Sequence, residues 1–452
     1  MSRKPVGDIA PGRLDRDALE RNFDDVSPPL DRQNALLEAQ RCYFCYDAPC
    51  TIACPTGIDI PGFIRGVTTD NLRGAALKIL GENIFGGSCA RVCPTEVLCE
   101  AVCVRNADEG KPVEIGALQR YSTDWVYRDD AKLFERAPDT GKRIAIVGAG
   151  PAGLSCAHWL ARQGHRVTVF ESKPKPGGLN EYGIAAYKVP EFAQREVQWL
   201  LSIGGITIGH GKALGTNLKL TDLRKQHDAV FLGIGLAGVN ALGLEGEQLP
   251  GVRNAVEFIV ELRQAPDLAK LPVGRRVVVI GGGNTAIDAA VQSKRLGAES
   301  VTLVYRRGPE SMGATGHEQA FAKTEGVGVI HWARPLRFVG NGGSLAAVEF
   351  EYTALDNGGK LAGSGDRFTL EADWALKAIG QVLVPDPLRD GAAQSLDLRE
   401  GRIAVDDAFA TSLPGVWAGG DCVGVKLDLT VQAVEDGKRA AMAIHSSLVH
   451  GQ

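Results

Sequence analysis

The sequence lacks long apolar runs. No stretch of about 18 apolar residues occurs without glycine interruptions, which argues against a membrane span. The longest uncharged run, "AVFLGIGLAGVNALGL", is punctuated by glycine and reads as a buried strand and turn. The N-terminal stretch "MSRKPVGDIAPGRLDRDALERNFDD" has no apolar segment, so it is not a secretory signal. A large charge of one sign is also missing. The formal net charge is -4, which gives no electrostatic case for binding nucleic acid or a membrane surface. With 44% hydrophobic residues in 452, the chain can bury two or three domain cores, and the cytoplasm is its expected location.

Cysteine is present, but not in the manner of an exported scaffold. Ten cysteines in a cytoplasmic chain argue against a disulfide framework. Cys156 and Cys422 are isolated in apolar or glycine-rich surroundings and read as packing residues. The other eight fall between Cys42 and Cys103. The first group runs Cys42-x2-Cys45-x4-Cys50-x3-Cys54-Pro55, and the second holds Cys89-x3-Cys93-Pro94 and Cys99-x3-Cys103. Zinc knuckles use paired CxxC motifs, and only one CxxC is present. The 2-4-3 spacing with proline after the last cysteine points to iron–sulfur ligation, for which thiolates are suited as soft, charged donors. By count, eight thiols suffice for two [4Fe–4S] clusters, with Cys89 as the eighth ligand on spacing alone.

Residues 1–137 show short helical patterns, such as "DRQNALLEAQR" and "IGALQRYSTDWVYR", and no strand alternation. After the linker "FERAPDTGKR" the period changes. "KRIAIVGAGPAGLSCAHWLARQGHRVTVFE" reads as strand, Gly-rich turn, helix and strand, and "RRVVVIGGGNTAIDAAVQSKRLGAESVTLVYRR" repeats that layout. The expected domains are 1–137 helical, 138–240 the first nucleotide-binding part, 241–377 a second nucleotide-binding domain, and 378–452 the return of the first.

In the first unit Gly148, Gly150 and Gly153 form G-x-G-x-x-G. They serve the tight turn, the backbone approach to a pyrophosphate and close helix–strand packing, while the following helix N-terminus favours phosphate. Glu171 ends the second strand, where a carboxylate can accept from ribose hydroxyls. The second unit carries Gly281, Gly283 and Ala286, with Asn284 and Thr285 opening its helix. Tyr305 stands where Glu171 does, followed by Arg306 and Arg307. Two arginines there can hold the 2′-phosphate of NADP, or they can be solvated at a strand end. Two such units suggest FAD and NAD(P)H. The first takes FAD, because "GGLNEYGIAAYKVP", with Gly178, follows it and "AGGDC" returns near the end. Asp421, after Gly420, can bond a ribityl or pyrophosphate group or be only a turn residue. A helix starting near Thr430 can aim its dipole at the flavin ring. Lys188 in "AAYKVP" and Glu318 in "ATGHEQAF" are candidates beside the nicotinamide or flavin N5, and equally candidates for ordinary surface charge.

From Cys42 to about residue 448, the chain resembles the glutamate synthase small subunit and the N-terminal half of dihydropyrimidine dehydrogenase. The motifs are the cysteine array, "CPT" twice, "GAGPAGL", "GGLNEYGI", "GGGNTAIDAA" and "AGGD". "DAPCTIACPTGIDI" looks more like the dihydropyrimidine dehydrogenases that keep this half as a separate bacterial subunit, and "YRRGPESM" looks closer to glutamate synthase. The resemblance implies one cluster on Cys42, Cys45, Cys50 and Cys103, and a second on Cys54, Cys93, Cys99 and a glutamine, which "EIGALQRY" places at Gln119. On its own Gln119 reads as a helix surface residue. The implied fold class is α/β: a helical N-terminal double [4Fe-4S] domain followed by two Rossmann-like nucleotide-binding domains, for FAD and NAD(P). The implied activity is that of an oxidoreductase of pyrimidine catabolism. NADP(H) or NAD(H) reduces FAD, and single electrons pass through two [4Fe-4S] clusters to a catalytic FMN/iron-sulfur partner subunit, with two copies of each in the assembly. That partner reduces uracil or thymine. About 250 residues for a substrate barrel do not remain in this chain. The alternatives are electron input to glutamate synthase and a non-redox module with zinc in place of the clusters.

Overall fold

Short polar side chains start four of the N-terminal helices. In the computed structural model, which describes residues 7–189, 192–388, 396–424 and 427–450, Asp15 caps Arg16–Asn22 and Asp31 caps Arg32–Gln40. Asp59 caps Ile60–Thr68 and Asn71 caps Leu72–Glu82. Each side-chain oxygen accepts one of the backbone N–H groups left unbonded in the first turn. Ile60, Phe63, Ile64 and Val67 form the buried stripe of Ile60–Thr68 at the i, i+3, i+4, i+7 spacing of a helix face. Burying such side chains is worth about 1.5–3 kcal/mol each. The helix Ile115–Arg128 brings Leu118, Ser122 and Val126 into the same interior. No helix among the described residues is long and apolar enough to cross a membrane.

Two parallel sheets follow. The first has the order Val416–Ala418, Ala229–Leu232, Arg143–Val147, Arg166–Glu171, Ile206–His210. Its central strands are buried on both faces, as parallel strands covered by helices are. The run read as a buried strand and turn begins with its strand Ala229–Leu232, all of it buried. The helix Pro151–Arg162 follows the first Gly-rich turn, and the closing helix Thr430–His450 crosses it at Gly437, where a Cβ would collide with Ala152 O. Cys156 and Cys422 are fully buried here, as packing residues.

The second sheet has the order Gly328–His331, Ser300–Tyr305, Arg276–Gly281, Trp374–Ala378, Val252–Asn254. An antiparallel meander, Ala333–Asn341, Ser344–Leu355 and Leu361–Glu371, precedes its strand Trp374–Ala378. The helix Asn284–Arg295 follows the second Gly-rich turn.

By contact the chain divides into two compact units. One combines Met1–Val26, Tyr182–Pro190 and Val239–Gln381; the other combines Ser27–Glu181, Glu191–Gly238 and Val382–Gln452. This departs from the boundaries read from the sequence in three ways, the first being that Tyr182–Pro190, expected within 138–240, belongs with Val239–Gln381. The cysteine-bearing helices share a unit with the first Gly-rich turn, whereas the N-terminal arm belongs with the second. The arm is held there by strand pairing and burial. Ile9–Ala10, a strand where none was expected, pairs antiparallel with Val273–Gly274. Leu19 and Phe23 are buried in the same core as Phe258, Ile259 and Val277.

Candidate functional site

The first Gly-rich turn leaves the strand Arg143–Val147 at Gly148, whose φ of +98° is left-handed and whose Cβ would collide with Gly233 O. A Cβ on Gly153 would collide with Gly148 O. Gly150 has open space on its Cβ side, the nearest atom being Gly178 Cα at 3.7 Å. The three positions thus divide as the motif requires: two are filled by the protein itself and one is left clear for a phosphate. A Cβ on Gly178 would stand 2.7 Å from Gly150 Cα, so Gly178 is also bare for close backbone approach.

Glu171 is buried and braces this turn. Its Oε2 accepts from Ala149 N at 2.8 Å and its Oε1 from Lys173 N at 2.7 Å. Ser172 Oγ also donates to Oε1, at 3.2 Å, so it is Oε2 that keeps a second lone pair for a hydroxyl donor. Across the turn, Asp436 Oδ2 accepts from Gly420 N at 3.0 Å, and Gln432 Nε2 donates to its Oδ1 at 2.8 Å. Arg402 Nη1 donates to Asp421 O at 2.7 Å and pairs with Asp428. The Asp421 carboxylate has no hydrogen-bond partner among the described residues. Burial, with Asp428 and Asp436 nearby and Arg402 opposing, pushes its carboxyl up to about 6. The closing helix starts at Thr430, which donates to Asn180 Oδ1 at 3.0 Å.

In the second unit a Cβ on Gly281 would collide with Ala378 O, while Gly283 has nothing within 4 Å of its Cβ position. Ala286 is fully buried. The Tyr305 ring lies against Gly282, and its hydroxyl donates to Ser311 O at 2.6 Å. Asn284 Oδ1 is buried without a hydrogen-bond partner among the described residues, and Thr285 is half-buried. Arg306 is exposed and Arg307 half-buried, and neither guanidinium has an acidic partner among the described residues. Their carbonyls are fixed by Thr353 Oγ1 and Trp332 N.

Lys188 and Glu318 meet each other. Lys188 Nζ lies 2.7 Å from Glu318 Oε1 and 2.9 Å from Asp288 Oδ1, in largely buried surroundings. Burial works against the ammonium, but Asp288 and Glu318 outweigh it and hold Lys188 above the ordinary lysine range. The two carboxylates hold the ammonium in place. Neither side chain is ordinary surface charge.

The thiols of Cys42, Cys45, Cys50 and Cys103 line one cavity, completed mostly by apolar side chains such as Ile60, Ile64 and Ile115. Phe44 N donates to Cys42 Sγ at 3.4 Å. Burial raises the Cys42 thiol and pushes Cys50 up to about 11, so a metal centre must displace protons to bind there. Among the described residues no three His, Cys, Asp or Glu side chains converge as a single-ion site needs. Four thiols around a cavity fit a wider centre of several atoms. A second group gathers Cys54, Cys93 and Cys99, each near enough for the charges to be felt, with Cys93 and Cys99 raised by burial. Cys89 lies beside Cys54 and Cys93, and burial raises it too. Gln119 is buried rather than on the surface, and its Nε2 donates to Gly86 O at 2.7 Å.

Sequence reasoning missed Asp436, Arg402, Asp288 and Glu196. Each is a charged residue inside an ordinary amphipathic or loop pattern, and its partner is distant in the chain.

Known proteins place this architecture. Residues 142–437 match the pyridine nucleotide-disulphide oxidoreductase family, and residues 19–131 match the family described as dihydropyrimidine dehydrogenase domain II, 4Fe-4S cluster. The NAD-dependent dihydropyrimidine dehydrogenase subunit PreT of Salmonella typhimurium is 35% identical over 95% of this chain and 98% of its own. The glutamate synthase [NADPH] small chain of Escherichia coli is 34% identical over 93% of each. Among solved structures, the His57Gln mutant of FprA from Mycobacterium tuberculosis aligns with a TM-score of 0.57 at 21% identity, covering 70% of this chain and 86% of that one. The thioredoxin reductase of T. acidophilum aligns at 0.54 and 22%, covering 68% and 99%. These two share the fold. The chain therefore belongs to the family of oxidoreductases that includes the PreT subunits and the glutamate synthase small chains, with FAD, NAD(P) and 4Fe-4S clusters as its cofactors.

Proposed function

We propose that the chain is the electron-input subunit of a dihydropyrimidine dehydrogenase. The observation that carries the proposal is the four-thiol cavity of Cys42, Cys45, Cys50 and Cys103, built into the same compact unit as the first Gly-rich turn. Similarity along 95% of the chain to a PreT subunit supplies the substrate class. FAD held at the first Gly-rich turn would supply the conversion between the two electrons of a nicotinamide and the single electrons that iron–sulfur clusters carry.

The residues of the chain divide the work. Gly148, Gly150, Gly153 and Gly178 clear space for the FAD pyrophosphate, Glu171 holds the turn and faces the ribose, and Gly420, Asp421 and Thr430 close the site. The negative Asp421 is suited to a hydroxyl donor. Gly281, Gly283, Asn284 and Thr285 receive NAD(P)H, and Arg306 and Arg307 are free to hold a 2′-phosphate. Lys188 and Glu318 fix the segment that carries them. Cys42, Cys45, Cys50 and Cys103 hold one cluster; Cys54, Cys93, Cys99 and Gln119 hold the other, with Cys89 beside it. The exposed Tyr43 and Tyr46, and Ile52 on the short helix Pro49–Ala53, all between these ligands, suit contact with a partner that carries FMN and further clusters. Two copies of each subunit are the expected assembly, and the cytoplasm the expected location.

The second reading is electron input to glutamate synthase, favoured by 34% identity to that small chain and by the unpaired arginines, since that relative is named for NADPH. The two separate in one assay. With the native complex purified anaerobically, NADH and NADPH oxidation is followed with uracil or thymine, and then with glutamine plus 2-oxoglutarate. Oxidation driven only by pyrimidines is expected. Oxidation driven only by glutamine and 2-oxoglutarate overturns the first reading in favour of the second.

A further inference from the structure

Glu196, on the helix Ala193–Leu201, has no exposed surface. A carboxylate so placed must be satisfied by hydrogen bonds. Its Oε1 accepts from Gly87 N at 2.9 Å, Ser88 N at 3.1 Å and the Tyr127 hydroxyl at 2.9 Å, and its Oε2 accepts from Ser88 Oγ. The two N–H groups open the short helix Gly86–Val92, which bears Cys89 and ends at Cys93. Gly87 is bare because a Cβ would stand 2.6 Å from Phe192 and 2.7 Å from Tyr127. The turn is therefore clamped on one side by Glu196 and its neighbours.

On the other side of the same turn, Gly86 O accepts from Gln119 Nε2 at 2.7 Å. That bond takes one of the two amide N–H donors and turns the nitrogen toward Gly86. The amide oxygen, the only end able to ligate iron, accepts no hydrogen bond among the described residues. Gln119 and Tyr127 stand on one helix, Ile115–Arg128, so Glu196 ties that helix to the turn at a second point. Arg91, from the clamped helix, stacks on the Phe192 ring at 3.7 Å and pairs with Asp124 at 2.6 Å.

We propose that Glu196 is a positioning residue for the second iron–sulfur cluster, fixing the Gly86–Ser88 turn so that Gln119 offers its amide oxygen. The inference rests on the ligand assignment made above for Gln119. Burial pushes the Glu196 carboxyl above its ordinary range, the donors from Ser88 and Tyr127 oppose that, and the group sits against the helix that bears Cys89. Neutralising Glu196 favours the more reduced, more negative state of a nearby cluster.

The test uses the full chain with its cofactors, purified anaerobically. Electron paramagnetic resonance of the reduced protein and potentiometric titration follow each cluster separately, alongside iron content and thermal melting. In Glu196→Gln, which keeps size and shape, the second cluster's signal is expected to change form and its midpoint to move positive. The first cluster and the flavin keep their wild-type values. Gln119→Ala is expected to alter the same signal and no other. A Glu196→Gln protein that melts earlier with both signals and midpoints unchanged, while Gln119→Ala alters one, overturns the role of Glu196 and leaves the ligand assignment standing. If Gln119→Ala alters neither signal, the assignment falls and the proposal with it. Should Glu196→Gln fail to fold, Tyr127→Phe removes one donor to the same carboxylate and keeps the ring. A smaller shift of the same signal supports the proposal, and an unchanged signal overturns it.

Discussion

At the scale of single residues, the informative feature is which polar groups the protein leaves unused. Arg306 and Arg307 stand at the end of the strand Ser300–Tyr305 with no acid opposite them among the described residues. A 2′-phosphate would complete them through charge-assisted bonds. In the double variant Arg306→Ala, Arg307→Ala, steady-state kinetics should show KM for NADPH rising about tenfold or more, since such bonds are worth about 1.5–3 kcal/mol each. KM for NADH should stay within about twofold. Equal effects on both nucleotides would mean that the pair does not read the phosphate. The glycines, the arginine pair and the cysteine spacing were all legible in the sequence, because each marks a backbone or donor requirement that few other residues meet. Glu196, Asp436 and Asp288 were not. Their function lies in partners such as Gly87, Gly420 and Lys188, and no local pattern announces a pairing across many residues.

At the scale of elements, the closing helix does two jobs. Its Asp436 holds Gly420 N beside the first Gly-rich turn, and two residues on, Lys438 donates to Thr56 O at 3.1 Å, just after Cys54. Lys438 also pairs with Glu82 at 2.8 Å. One helix thus fixes the turn at Gly420 and the loop after Cys54 together. Its far end is tied by a histidine pair, His165 Nε2 to His445 Nδ1 at 2.8 Å, with Thr140 on the other ring nitrogen of His165. Burial, with His445 next, pulls His165 down to about 4, and burial pulls His158 down to about 3. Between these values and the ordinary histidine value the unfolded chain binds protons that the native chain does not. Stability is therefore full above about pH 6.5 and falls as pH drops from there toward 4. Thermal melts across pH 5 to 8 should show this slope at the low end, and His165→Gln should flatten it. An unchanged slope would exclude the histidine pair as its source. The helix itself was readable from its periodicity and its start near Thr430. Its histidine contact was not, because His165 and His445 lie about 280 residues apart.

At the scale of the whole molecule, the two nucleotide units and the cysteine domain were visible as changes of sequence period, but their grouping was not. The arm reads as extended and charged, yet Leu19 and Phe23 complete the core of the unit that carries the second Gly-rich turn. Phe23→Ala should cost that unit about 3–5 kcal/mol. Urea unfolding followed by loss of NAD(P)H binding should move to lower denaturant, while the visible absorbance of flavin and clusters persists. Coincident loss of both signals at the wild-type midpoint would show that the arm adds nothing to the core.

The interleaving also sets a timetable for biosynthesis. The strand Ile9–Ala10 leaves the ribosome about 260 residues before Val273–Gly274, the strand it pairs with. At roughly 5–20 residues per second, the arm waits for about 13–50 s with its apolar side chains uncovered. The cysteine helices that follow are translated, and can acquire iron and sulfide, during that interval. The order of synthesis therefore completes the cysteine helices before the unit of the second Gly-rich turn can close over the arm, and the apolar side chains of the arm stay uncovered until then.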